Sequence, residues 1–225
     1  MSTGAKMALL EEYASIARVL GTPARLQMLE ALAQTERGVE ALAERTGLSV
    51  ANCSQHLQQL RRAGLVTGRR DGKQVIYALA DEAVLGVMAG LKVLATRNKQ
   101  QVRDILAALV GDTGETEAVS RAWLEPRLAD GRVTVLDVRP EDEFNAGHIS
   151  GAYRLPPEQI EAAAAHLPKL VEEVIAYCRG PYCIYAEQAA AALRRTGIRA
   201  RVMEGGFPEW RREGRPVTHE FDNAP

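Results

Sequence analysis

Cys178 is the residue whose surroundings in the sequence most favour chemistry. It follows the β-like run 174–177 and precedes a helix predicted to begin near Tyr185. Loop N–H groups and the dipole of a helix N-terminus both favour an anion, so they lower the pKa of a thiol held there. We therefore predict that Cys178 is a nucleophile. The loop predicted to cradle an anion with its backbone amides contains Arg179, Gly180, Pro181, Tyr182 and Cys183, and Arg179 is expected to add a positive charge.

Cys183 has two interpretations that the sequence leaves open. It can be a resolving thiol that closes a disulfide on Cys178, or a loop residue packed under the following helix. A further hypothesis, in which arsenite bridges the two cysteines, lacks a third ligand. The remaining cysteine, Cys53, falls on the apolar side of a predicted helix and is interpreted as a core residue.

A second set of polar residues belongs to a predicted helix-turn-helix at positions 39–63, with a glycine in the turn. Its second helix would bury Cys53, Leu57 and Leu60. The opposite face carries small and amide side chains, which suit base edges in the major groove of DNA. The residues predicted to contact DNA from this helix and its cap are Ser49, Asn52, Ser54, Gln55, Gln58 and Arg62.

A hairpin is predicted directly after the helix-turn-helix. The runs 65–67 and 74–79 are β-like and flank an Asp-Gly pair, which favours a tight turn. Three cations, Arg69, Arg70 and Lys73, would then meet at the loop tip, where they can reach phosphates.

The elements that position these residues divide the chain into two domains. The first contains predicted helices at 23–34, 39–45, 50–63 and 81–110. The second alternates β-like runs at 133–137, 174–177 and 199–203 with a helix at 186–195, which is typical of a parallel sheet. The predicted fold class is therefore two-domain: an α+β winged helix-turn-helix and a parallel-sheet α/β domain. The predicted boundaries are 1–110, a polar linker at 111–119, and 120–225.

Charge is distributed unevenly between the two halves. Residues 1–110 hold 14 Lys and Arg against 10 Asp and Glu, and residues 111–225 hold 14 against 19. This fits one domain that meets a polyanion and one that does not. No apolar stretch is long enough to cross a bilayer, and Glu11 and Glu12 fall where a signal peptide needs an apolar core. We expect a cytoplasmic protein with no membrane partner.

Residues 9–110 resemble the ArsR/SmtB family of winged-helix repressors. The segments that carry the resemblance are GTPARLQMLEAL, LSVANCSQHLQQLRRAGLV and RRDGKQVIYAL. The resemblance implies a homodimer formed by the first and last helices of this domain. It also implies a duplex DNA operator with two-fold symmetry, and release of that operator when an inducer binds.

The chain departs from the metal-binding members of that family. The stretch GVEALAERTG lacks the cysteine pair of some members, and residues 81–110 contain no His or Cys. A metal site needs several convergent ligands. We therefore expect no metal and no other cofactor.

Residues 117–218 resemble the rhodanese family. The segments that carry this resemblance are VTVLDVRPEDEFNAGHISGAYRLP, AYCRGPYCIYAEQAAAAL and VMEGGFPEW. The resemblance implies sulfur transfer, in which Cys178 takes sulfane sulfur from thiosulfate or a low-molecular-weight persulfide and passes it to a thiol acceptor. It also identifies Asp137, Arg139 and His148 as signature residues. We interpret them as the scaffold of the active site, and His148 as structural rather than as half of a Cys/His dyad.

Oxyanion chemistry of the phosphatase or arsenate reductase kind is not expected. Those relatives use Cys-x5-Arg, and the position of that arginine is Ile184 here. The sequence thus predicts a transcriptional repressor whose rhodanese domain transfers or senses sulfane sulfur. Two alternatives stay open: a sulfurtransferase whose winged-helix domain serves mainly for dimerisation, and a metalloid-responsive repressor.

Overall fold

The computed structural model of the chain describes residues 3–110, 118–163, 173–180 and 183–219. Pro181, Tyr182 and residues 111–117 of the predicted linker lie outside the described residues. The chain forms two compact units, residues 1–88 and 89–225, and each is described by itself. The predicted domain boundaries stay predictions, since this division falls inside a helix.

The first unit combines helices with a small antiparallel sheet. Its elements are α1 (Thr3–Leu20), α2 (Pro23–Gln34), β1 (Arg37–Gly38), α3 (Val39–Thr46), α4 (Val50–Arg62), β2 (Val66–Asp71), β3 (Gln74–Leu79) and α5 (Ala83–Asn98), which continues into the second unit. The strand order is β1-β3-β2. Apolar residues at helical spacing, among them Met28, Leu42 and Leu57, are fully buried in its core. The predicted winged helix-turn-helix fold is confirmed.

The turn between α3 and α4 forms as its sequence predicts. Gly47 adopts a left-handed conformation with φ 65°, which glycine reaches without steric cost. The N–H of Leu48 donates to the carbonyl of Ala43 at 3.0 Å, which closes the end of α3. Ser49 then caps α4, because its Oγ accepts the N–H of Asn52 at 3.3 Å.

The predicted hairpin is confirmed, but its first strand is longer than expected. β2 and β3 pair from Val66↔Leu79 to Asp71↔Gln74, so the loop contains only Gly72 and Lys73. Gly72 has φ 59°, which suits the first position of a two-residue turn. The expectation that Arg69 and Arg70 lie at the loop tip is therefore wrong: both belong to β2, and Lys73 alone of the three cations is in the turn.

The single helix predicted at 81–110 is also wrong, because α5 ends at Asn98 and α6 (Gln100–Val110) begins after Lys99. The guanidinium of Arg103 donates to the carbonyls of Thr96 and Arg97, each at 2.9 Å. These carbonyls would otherwise accept backbone N–H groups of the next turn. A side chain from the following helix thus satisfies the end of α5 without a glycine or proline.

The second unit is built on alternating strands and helices. After α6 its elements are β4 (Ala118–Val119), α7 (Arg121–Ala129), β5 (Val133–Asp137), α8 (Glu141–Ala146), β6 (His148–Ile149), β7 (Tyr153–Arg154), a 3-10 turn (Pro157–Gln159), α9 (Ile160–Ala163), β8 (Glu173–Tyr177), α10 (Tyr185–Arg195), β9 (Ala200–Met203), α11 (Phe207–Arg212) and β10 (Val217–Thr218).

Five of these strands form the expected parallel sheet, in the order β4-β9-β8-β5-β7. β10 and β6 form a separate antiparallel pair. The last two residues of the predicted linker, Ala118 and Val119, belong to the sheet as β4. The alanine-rich side of α10 packs in one buried cluster, and Phe207 and Trp210 of α11 pack in another. No helix in the described ranges has the length and hydrophobicity needed to cross a membrane.

Candidate functional site

Cys178 lies immediately after β8, at the carboxyl edge of the parallel sheet, and α10 begins shortly afterwards at Tyr185. This is the strand–loop–helix position that the sequence predicts, and it is the edge at which open α/β sheets bind ligands. Cys178 and Cys183 are both buried. A disulfide joins them, with a Cα–Cα distance of 6.3 Å. The structure thus holds the loop in its oxidised form.

Backbone contacts fix both ends of this loop. The N–H of Phe207 donates to the carbonyl of Cys178 at 3.1 Å, and the N–H of Cys183 donates to the carbonyl of Gly180 at 3.1 Å. In this disulfide-bonded form the Cys183 amide therefore does not join the predicted anion cradle. Gly206 packs so closely that a Cβ there would lie 2.3 Å from the nitrogen of Gly180. The start of α11 is thus fitted against the loop.

The Arg179 side chain, which is expected to add a positive charge, is held by an ion pair. Its Nε lies 2.9 Å from each carboxylate oxygen of Glu143. Glu143 is fully buried, and a buried carboxylate needs a paired cation to offset its lost hydration. Arg179 is therefore anchored to Glu143 on α8, and its contact with a sulfur donor stays a prediction.

Asp137 and Arg139, the predicted scaffold residues, form one fully buried ion pair. The Nη2 of Arg139 donates to Asp137 at 2.6 Å and to the carbonyl of Gly147 at 2.7 Å. The hydroxyl of Tyr177 donates to the same carboxylate and accepts the N–H of Ile149 at 3.1 Å. Burial and the neighbouring Asp137 carboxylate raise the pKa of Tyr177 well above its ordinary value, so it stays a neutral donor. The network ties the ends of β5 and β8 together.

His148 is held by contacts within its own segment. Its Nδ1 lies 3.0 Å from the carbonyl oxygen of Phe144, and its ring stacks on the ring of Phe144 at 3.7 Å. These contacts use one ring nitrogen and one ring face. They agree with the predicted structural role.

Sequence reasoning missed Glu209, a buried carboxylate beside the Cys178 loop. Its Oε2 accepts the N–H of Gly206 at 2.9 Å, which caps the start of α11. The same carboxylate lies against Gly180, since a Cβ built there would be 3.5 Å from it. Burial raises the pKa of Glu209. The signal was present in EGGFPEW, where a glutamate three residues after a helix cap can reach back to it.

The second candidate site is the exposed face of α4. Cys53, Leu57 and Leu60 are fully buried, as predicted. The opposite face is in solvent at Asn52, Gln55, Gln58 and Arg62, while Ser54 is half-buried and the Ser49 hydroxyl serves as the helix cap. The predicted reading residues thus share one accessible helix face.

The three hairpin cations predicted to contact phosphates differ in whether a carboxylate pairs with them. Arg69 pairs with Glu36 at 2.9 Å and lies 3.6 Å from Asp71. Arg70 and Lys73 are exposed near the turn. Arg69 therefore offers less charge to a polyanion than the sequence suggests.

Arg25 of α2 is a further residue that sequence reasoning missed. It is buried and donates to Oε1 of Gln59 on α4 and to Oγ1 of Thr22. The contact ties α4 to the helix beneath it.

Both units match known families. Residues 120–213 match the family described as "Rhodanese-like domain", and residues 22–67 match the family described as "Bacterial regulatory protein, arsR family". Among the described residues, no group of three or more His, Cys, Asp or Glu side chains is placed to hold a metal ion.

Comparison with individual proteins extends these matches. The chain is 38% identical over 212 residues to the HTH-type transcriptional regulator Rv0324 of Mycobacterium tuberculosis, which covers 94% of this chain and 92% of that protein. It is 38% identical over 81 residues to the nodulation protein NolR of Rhizobium meliloti, covering 36% of this chain and 66% of that protein. A solved structure also matches: the solution NMR structure of the homodimeric winged helix-turn-helix DNA-binding domain of Mb0332 from Mycobacterium bovis. The two sequences are 39% identical, and the match covers 45% of this chain and 93% of that one with a TM-score of 0.41.

The likeness to Rv0324 extends over nearly the whole of both chains. The arsR match falls in the first unit and the rhodanese-like match falls in the second. The chain therefore belongs to the arsR family of bacterial regulatory proteins, as a DNA-binding transcriptional regulator whose winged helix-turn-helix is followed by a rhodanese-like domain.

Proposed function

We propose that this regulator binds an operator of two-fold symmetry as a homodimer, and that uptake of sulfane sulfur at Cys178 weakens its binding to DNA. The observation that carries the proposal is the position of Cys178. It lies at the carboxyl edge of a rhodanese-like sheet, between β8 and α10, in a chain whose other unit exposes a DNA-reading helix. The donor is thiosulfate or a low-molecular-weight persulfide, and the acceptor is a thiol.

Sulfur uptake needs the thiolate of Cys178, so a thiol reductant must first open the disulfide with Cys183. Cys178 Sγ then attacks the sulfane sulfur of thiosulfate. A new S–S bond forms while the S–S bond of thiosulfate breaks, and sulfite leaves with the bonding electron pair. From a low-molecular-weight persulfide, the outer sulfur is taken in the same way and a thiolate leaves. The product is a persulfide anion, which the dipole of the α10 N-terminus at Tyr185 would stabilise.

The exposed face of α4 supports sequence-specific binding. Amide side chains such as Asn52, Gln55 and Gln58 can donate to and accept from base edges in the major groove. Arg62, Arg70 and Lys73 are exposed and can contact phosphates, which fix the position of the protein on the duplex. The half-sites of the operator would lie one helical turn of DNA apart, or a multiple of it.

The dimer is supported by apolar side chains exposed on two helices. In the first unit they include Met7, Leu9, Leu10 and Tyr13 on α1 and Val87 on α5. Large exposed apolar sets mark surfaces that another molecule covers. The family resemblance assigns the first and last helices of this domain to a symmetric interface, so a second copy of the chain is the proposed occupant.

Enzymatic turnover is a second candidate function, favoured by the match of residues 120–213 to the rhodanese-like family. Thiocyanate formed from thiosulfate and cyanide measures it, and Cys178→Ser would abolish it. Sulfur uptake without thiocyanate formation would identify a domain that senses sulfur but does not turn over.

An electrophoretic shift tests the coupling between sulfur and DNA. The reduced chain first selects its operator from a random-sequence duplex pool, and binding is then measured with and without polysulfide. We expect a loss of affinity of about tenfold or more, the usual size of allosteric coupling. Cys178→Ser should not respond, and Cys53→Ala should respond as the wild type does. Unchanged affinity, or an equal loss in Cys178→Ser, would remove the proposed coupling, and release by arsenite alone would favour the metalloid-responsive alternative.

A further inference from the structure

We propose that Cys183 is a resolving thiol: it attacks the Cys178 persulfide, closes the disulfide and releases the added sulfur as sulfide. The inference rests on the proposed function, because it begins from that persulfide. It assigns the thiol that removes the sulfur from Cys178 to this chain itself and makes the disulfide the product of sulfur sensing.

The geometry places the two cysteines within reach of each other. Their Cα atoms are 6.3 Å apart and their sulfur atoms are bonded. Native disulfides span Cα separations of roughly 4.4–6.8 Å. The Cys183 N–H donates to the carbonyl of Gly180, and the Phe207 N–H donates to the carbonyl of Cys178. The backbone is therefore compatible with direct attack by one sulfur on the other.

The step balances without an added oxidant. The thiolate of Cys183 attacks Sγ of Cys178, which is the inner sulfur of the persulfide, and a Cys178–Cys183 bond forms. The bond between Sγ and the outer sulfur breaks, and the outer sulfur leaves as hydrosulfide with the electron pair. The proton from the Cys183 thiol ends on the released sulfide. The sulfane sulfur is reduced, and the two cysteine sulfurs are oxidised.

Proximity favours Cys183 over acceptor thiols in solution. Cys178 is 3% exposed and Cys183 is 9% exposed, and both belong to the apolar cluster that includes Ala186 and Ala189 of α10. A thiol in solution must first diffuse to Cys178, as the sulfur donor does, whereas Cys183 is already beside it. A tethered group also acts at an effective concentration of about millimolar or above.

This assignment gives the site the behaviour of a sensor rather than a carrier. Each reduced chain takes one sulfane sulfur, releases one sulfide and stops as the disulfide. A thiol reductant must then reset it. Direct oxidation by a peroxide can reach the same disulfide, but it releases no sulfide, so the two histories can be distinguished.

The test uses the full chain, reduced and desalted without oxygen, and two donors in parallel: thiosulfate and glutathione persulfide. Neither donor releases sulfide when it loads Cys178, because the leaving groups are sulfite and glutathione. The chain is then analysed by intact mass and peptide mapping, and free sulfide is measured against a control without protein. The variants are Cys183→Ser, Cys183→Ala and Cys178→Ser, with Cys53→Ala as a matched control.

The wild type and Cys53→Ala should lose two hydrogen atoms in mass and release one sulfide per chain. Both Cys183 variants should instead keep one added sulfur on the Cys178 peptide and release none, and Cys178→Ser should take up no sulfur. If the wild type keeps its added sulfur and releases no sulfide, the resolving role is overturned while the proposed function stands. If neither the wild type nor the Cys183 variants take up sulfur, the proposed function fails and this inference fails with it.

Discussion

Replacing Gly206 with alanine tests whether the start of α11 positions the Cys178 loop. Gly206 has an extended backbone with φ −161°, which any residue adopts, so the substitution introduces no backbone strain. Its effect comes from space alone. The new Cβ would lie 2.3 Å from the nitrogen and 2.5 Å from the Cα of Gly180, and 2.6 Å from the carbonyl carbon of Arg179.

These overlaps determine how much stability and sulfur-loading rate the substitution should cost. Real Cβ atoms essentially never come closer than 3.0 Å to such atoms, so the loop and the start of α11 must separate by about 0.7 Å. Overpacking of this kind costs about 1–3 kcal/mol of the free energy of unfolding. The separation also stretches the Phe207–Cys178 backbone hydrogen bond, now 3.1 Å. Misplacement of a reacting group by about 1 Å can cost roughly 100-fold in rate, so we expect sulfur loading of Cys178 to slow by about 10- to 100-fold.

Gly214→Ala supplies the matched control at the other end of α11. Gly214 has φ 67° and open space around its Cβ position, so alanine there introduces backbone strain of about 1 kcal/mol without touching the loop. Urea unfolding measures the stability of both variants, and the rate of mass gain with thiosulfate in a Cys183→Ser background measures loading. If Gly206→Ala loads sulfur at the normal rate, or if Gly214→Ala is equally slow, the start of α11 does not position the Cys178 loop.

Three further predictions follow from the described contacts. Arg139→Leu leaves the buried Asp137 carboxylate without its cation and should lower the free energy of unfolding by about 3–5 kcal/mol; a loss below about 1 kcal/mol in urea unfolding would contradict this. Because burial raises the pKa of Glu209, the folded state holds that proton more tightly than the unfolded state. The wild type should therefore lose stability as pH rises from about 4.3, the unfolded value, through the raised pKa, whereas Glu209→Gln should lack this fall in Tm against pH. For DNA binding, Lys73→Ala should lower the slope of log affinity against log salt concentration by about one. Arg69→Ala should lower it by less, because Glu36 already pairs with Arg69. An equal change of slope in the two variants would contradict this pairing.

The sequence was sufficient to predict the elements that neighbouring residues determine. The αL glycine at Gly47 and the Ser49 cap are set by neighbouring residues, and both formed as predicted. The apolar runs of β5 and β8 became the central strands of the parallel sheet. The same local reasoning placed Cys178 at the strand end.

The errors arise where a distant side chain decides the outcome. The ion pair of Arg179 could not be foreseen for the same reason, since Glu143 is 36 residues away in the chain. Arg69 is paired in the same way by a glutamate 33 residues away. The break after Asn98 is a local exception: the Arg103 side chain donates to the carbonyls of Thr96 and Arg97 near the end of α5, and no glycine or proline marks the break. Residue periodicity has no information about such partners.

Control of DNA binding by the chemistry of Cys178 can be measured in a joint titration. Reduced chain bound to its selected operator is titrated with glutathione persulfide, while DNA occupancy is followed by fluorescence anisotropy and Cys178 modification by mass on the same samples. The fraction of DNA released should follow the fraction of chains in which Cys178 has reacted, and Cys178→Ser should release none. Full occupancy of the DNA after every Cys178 has reacted would contradict the account.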